Sequence, residues 1–130
     1  VAVCLLLPAC LYGEVSNEVW KLSLIELFFV VAVTIPFDVR DLQFDEHDKK
    51  TIPQVLGVKK ALRVAVALIV VSGVLHALWF DNSSLVLLVY LISVILTLFA
   101  NENKSELFYT IGIDGLFLLF PIFSFLSTKI

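Results

Sequence analysis

Apolar and polar positions alternate in long blocks along this chain. Apolar runs occupy residues 1–12, 22–37, 61–80, 84–100 and 107–126, and polar or charged residues fill the breaks between them. The last four runs each approach the roughly 20 helical residues needed to cross a hydrocarbon core. They are apolar on every side rather than on one stripe, as expected of helices in lipid or wholly buried helices. Run 1–12 is too short to cross and is expected to be part of a span. Its Leu7-Pro8-Ala9-Cys10 loosely resembles a lipoprotein cleavage box. No basic stretch precedes it, however, and proline fits that box poorly. The pattern predicts an all-α, multi-pass transmembrane helical bundle of about four full spans plus a partial first span, with one long polar loop at 38–60.

Composition sharpens this picture. The chain has 130 residues, 60% hydrophobic and only 16% charged, with mean hydropathy +1.01. A soluble domain of this size would leave too much of that apolar surface in water. The net charge of −3 gives a nucleic-acid partner no electrostatic support. Cys4 and Cys10 have neither metal nor redox spacing and are expected to be small packing residues. There is no methionine, and Val1 already lies in an apolar run. The expectation is a piece of a longer protein.

The basic residues orient the runs. Arg40, Lys49, Lys50, Lys59, Lys60, Arg63 and Lys104 fall on one side of the alternation, and only Lys21 and Lys129 on the other. The richer side is expected to be cytoplasmic. Trp20 and the Trp79-Phe80 pair then fall together at the opposite interface, as an aromatic belt requires.

The 38–60 loop carries the chemistry. Asp38, Asp41, Asp45 and Asp48 follow steps of three, four and three. On a helix they would share an arc of about 80°. Like charges so arranged repel, and Arg40 and His47 are expected to point to the other side, which leaves an external cation as partner. Carboxylate oxygens without His or Cys suit Mg²⁺ or Mn²⁺ rather than zinc. The spacing is not that of a calcium EF-hand. Lys49 and Lys50 follow directly and suit substrate phosphates. A carboxylate–Mg²⁺–diphosphate bridge at a membrane face points to an isoprenoid diphosphate with its tail between helices. A solvated loop of mixed charge accounts for the composition equally well; the spacing is what favours a site.

The stretch Asp38-Val39-Arg40-Asp41-Leu42-Gln43-Phe44-Asp45, followed by Thr51-Ile52-Pro53-Gln54-Val55-Leu56-Gly57, resembles the second aspartate-rich motif of UbiA-type intramembrane prenyltransferases. Three spans follow that motif in the family, and three apolar runs follow it here. Gly112-Ile113-Asp114-Gly115-Leu116 is similar, more weakly, to a last-span pattern of the family. The resemblance implies Mg²⁺-dependent transfer of a prenyl group from a prenyl diphosphate to an aromatic or other lipophilic acceptor. Asp41 and Asp45 match the core metal-binding pair, Asp38 the flanking acid, and Lys49 and Lys50 the diphosphate-binding basic stretch. The sequence departs from the family pattern in three places. Residues 1–37 contain no Asp, so the first aspartate-rich motif is absent. The stretch from Asp45 to Thr51 is short and lacks the usual glycine, and Phe44 stands where small or polar residues are common. The chain is therefore expected to be the C-terminal part of such an enzyme and inactive alone.

Ionisable residues within the runs are costly and hence candidates for function. Glu26 and His76 lie roughly 18 and 22 Å from the loop side by helical rise, and are expected to face each other, either as a structural hydrogen bond or as a functional pair. Asp114, about 10 Å into its run, is expected either to line a cavity beneath the metal face or to hydrogen-bond between helices at Gly112 and Gly115. Pro36 and Pro121 are expected to kink or end their helices. A rival reading is a fragment of a transporter or non-catalytic membrane protein, with Glu26, His76 and Asp114 marking an ion path.

Overall fold

A computed structural model describes residues 17–42, 50–80, 84–101 and 103–127. Among these the regular structure is entirely helical. Helix α1 is Asn17–Asp41, α2 Ile52–Leu56, α3 Val58–Trp79, α4 Ser84–Phe99 and α5 Asp114–Ser127; a π-helical segment, Phe108–Ile113, leads into α5. Run 1–12 with Cys4 and Cys10, and Asp45, His47, Asp48 and Lys49 of the loop, lie outside the described residues.

Two helices, α1 with 25 residues and α3 with 22, are long and apolar enough to cross a membrane. The 16 residues of α4 rise only about 24 Å, short of a core about 30 Å thick. Helix α1 is longer than its apolar run because the polar residues at both ends remain helical. Glu18 in its first turn and Arg40 in its last complement the helix dipole. Pro36 does not end α1, which continues five residues further to Asp41 with the proline ring buried in the packed face. Position 121 likewise lies inside α5.

The two long helices each bury one stripe. In α1 it runs through Ile25, Phe29, Val33, Pro36 and Val39, and in α3 through Ala61, Ala65, Ile69, Ser72 and His76. Steps of three and four place each set on one face. The two helices pack antiparallel. Ile35, late in α1, clusters with Ala61 and Ala65, early in α3. At the other end Lys21 lies 5.9 Å from the Trp79 ring. Helix α4 adds Val86, Val89 and Tyr90 to the core, and the π-helical segment adds Tyr109 and Ile113.

A few polar side chains are buried in the core while many large apolar side chains are exposed. Ser72, His76, Ser93 and Thr97 are buried, while Leu78, Leu98, Ile111 and Leu118 are more than 60% exposed. Only 28% of the apolar window of α3 is buried, whereas the core helix of a soluble domain would be mostly covered. Apolar surface on this scale is unfavourable in water and ordinary in lipid.

The short α2 makes the joint back into α3. The Thr51 N–H donates to Gln54 Oε1 at 3.3 Å, one half of a capping box. Pro53 sits in the first turn, where its missing N–H costs nothing. Gly57 then adopts φ 82°, a backbone region that glycine enters freely, and its carbonyl accepts from the Ala61 N–H at 3.0 Å to start α3.

Candidate functional site

The loop end of α1 gathers the first candidate group. Asp38 and Asp41, three residues apart, are half-buried in the last turn, and Asp41 is the final helical residue. Whether the helical face continues through Asp45 and Asp48 lies outside the described residues, as does the placement of Lys49. Lys50 is exposed just before α2.

Arg40 does not point away from the acidic face. Its Nε donates to Asp41 Oδ1 at 2.6 Å and its Nη2 to Asp41 Oδ2 at 3.2 Å, a two-pronged pair. The long guanidinium stem reaches round the helix, which a projection of α-carbon directions does not register. The two side chains are 32% and 42% exposed, so the pair sits at the surface rather than in the core.

Two rings support the same guanidinium. Its central carbon lies 5.2 Å from the Phe37 ring and 5.7 Å from the Tyr109 ring, and the rings are 6.0 Å apart. Tyr109 is fully buried and donates its hydroxyl to the Asn101 carbonyl at 2.9 Å. It stands in the π-helical segment, whose wider turn shifts side-chain directions relative to an α-helix. Gly112 of that segment lies against Leu96 of α4, and a Cβ there would make ordinary contact with Leu96 Cδ2 at 3.4 Å. Glu106 and Asp114 add a weaker electrostatic attraction to Arg40. Asp114 itself is exposed at the start of α5.

A second polar group lies between the helices nearer the Trp79 end. Ser72 Oγ donates to the Ile25 carbonyl at 2.9 Å and lies 3.2 Å from Tyr90 Oη. The Tyr90 ring meets Phe29 edge-on at 5.6 Å, and its centroid is 6.0 Å from the His76 ring, which also stacks on Phe80 at 5.4 Å. Glu26 follows Ile25 on α1 and is half-buried. Ser72 and Tyr90 link α1, α3 and α4 here, and His76 stands one turn beyond Ser72 toward the Trp79 end of α3.

Among the described residues no three His, Cys, Asp or Glu side chains come together as a metal-holding group. The donors that are described, Asp38 and Asp41, are carboxylate oxygens with no soft ligand among them, which fits Mg²⁺ or Mn²⁺. Sequence reasoning missed Arg40, Tyr109, Ser72 and Tyr90. The signal for the last three was weak but present, because each is a hydroxyl inside an otherwise apolar run. Compared with protein-family models, curated protein sequences and solved structures, the chain matches none.

Proposed function

We propose that this chain is the C-terminal part of a Mg²⁺-dependent integral membrane prenyltransferase of the UbiA type. In this reading the apolar helices form a multi-pass bundle in which α4 and the π-helical segment with α5 also cross the bilayer, and the 38–60 loop is cytoplasmic. The observation that carries it is the position of Asp38 and Asp41 in the last turn of a helix long and apolar enough to cross a membrane. Oxygen donors at such a boundary suit a ligand with a charged head and an apolar tail. The Thr51–Gly57 joint adds support, because it turns the chain straight back into the second long apolar helix.

Asp38, Asp41 and Asp45 would hold Mg²⁺, with Lys49 and Lys50 meeting the diphosphate oxygens. The metal, when bound, would neutralise charge on the leaving diphosphate as the allylic C–O bond breaks. The surrounding apolar side chains keep water from the electron-poor prenyl carbon, and a lipophilic acceptor takes the prenyl group there. In the full-length protein in lipid, Asp41→Ala and Asp45→Ala are each expected to lower transfer from labelled prenyl diphosphate by on the order of 10²-fold. Unchanged transfer in both variants would remove the assignment.

The buried Ser72, Tyr90 and His76 beside Glu26 favour a second reading, in which polar residues between helices mark an ion path. Ion flux through proteoliposomes, without prenyl transfer, would select it.

A further inference from the structure

Arg40 occupies an unusual place among the charged residues of the loop end. Its guanidinium is held by three partners from two parts of the chain: the Asp41 carboxylate, the Phe37 ring one turn earlier on α1, and the Tyr109 ring of the π-helical segment. The carboxylate it engages through both oxygens is one that the metal reading requires. The fork takes the inward-facing lone pairs of both oxygens, so a divalent cation that chelates Asp41 competes with the guanidinium for them.

We propose that Arg40 is a resident counter-ion for Asp41, displaced when a divalent cation binds and retained beside the site by the Phe37 and Tyr109 rings. The inference rests on the prenyltransferase reading of the loop and assigns Arg40 the role of a positioning residue within it. Three physical points carry it. First, the Asp41 carboxylate stands three residues from Asp38, and a fixed cation relieves their repulsion while no metal is present. Second, the ion pair is partly exposed at the surface, so exchanging it for a metal costs little. Third, cation–π contacts at an exposed site are of the same order as such a pair. The rings therefore keep the guanidinium in place after the carboxylate has been taken. Buried Tyr109, tied by its hydroxyl to the Asn101 carbonyl, makes that resting place rigid.

The test is Mn²⁺ binding, read by electron paramagnetic resonance, on the full-length protein in phosphatidylcholine nanodiscs without substrate. Arg40→Gln is expected to bind Mn²⁺ about three- to five-fold more tightly than the parent. Arg40→Lys keeps the charge but loses the fork, and is expected to bind more tightly than the parent by a smaller factor. Parent-like or weaker binding in Arg40→Gln would overturn the inference. Parent-like binding in Arg40→Lys, with tightening in Arg40→Gln, would also overturn it, since long-range charge and not competition for Asp41 would then be at work. A parent that binds no Mn²⁺, or an Asp41→Asn variant that binds it as the parent does, would overturn the metal reading itself. A parent that binds through Asp41 while Arg40→Gln is unchanged would overturn only the role of Arg40.

Discussion

Ser72 is the residue on which three helices converge. Its hydroxyl reaches the Ile25 carbonyl of α1 and Tyr90 of α4 from its place on α3. Hydrogen bonds between helices in lipid contribute about 0.6 kcal/mol on average and up to roughly 1.7. Ser72→Ala and Tyr90→Phe are therefore each expected to destabilise the fold by about 0.5–1.5 kcal/mol. The double variant is expected to cost less than the sum, because both remove one shared contact. Reversible unfolding in mixed micelles measures this, and strictly additive losses would mean the two hydroxyls act independently. At this scale the sequence was partly legible. Glu26 and His76 stood out as charged or titratable letters in apolar runs, but serine and tyrosine look innocuous there, and which of them meet is decided by helix register. Arg40 was misread for a different reason: a long flexible side chain does not follow the direction of its own α-carbon.

Helix positions were the most legible feature. Run 61–80 became Val58–Trp79 and run 84–100 became Ser84–Phe99, each within three residues of expectation. Run 22–37 grew at both ends into Asn17–Asp41, since helical hydrogen bonding does not stop where hydrophobicity does. The π-helical segment was not legible, because a wider turn depends on how Tyr109 and Gly112 pack against α1 and α4 rather than on local propensity. The joint between α2 and α3 carries a sharper expectation. Gly57 holds φ 82° and ψ 149°, a region nearly closed to other residues, and no atom lies within 4 Å of a Cβ built there. Strain alone therefore sets the effect of Gly57→Ala, an expected loss of about 1–3 kcal/mol. Thermal unfolding of the variant in detergent checks it, and a melting temperature equal to the parent's would mean that the joint is not held in this conformation.

At the scale of the described fold, basic residues concentrate at one end. Arg40, Lys59, Lys60 and Arg63 gather at the end that carries the aspartates, and Lys21 meets Trp79 at the other. Buried hydroxyls beneath exposed leucines complete a pattern suited to a lipid surround. The proposed chemistry needs this arrangement, because it places the carboxylates of Asp38 and Asp41 beside apolar helix surface. The aspartate end of α1 is proposed to work through a divalent cation on a prenyl diphosphate. The most direct measurement is transfer of label from prenyl diphosphate to a lipophilic acceptor by the full-length protein in nanodiscs, before and after chelation and again after Mg²⁺ is restored. Transfer is expected to be lost on chelation and to return with Mg²⁺. Transfer that persists without the metal, or that never occurs with it, would remove the proposed role of the aspartates.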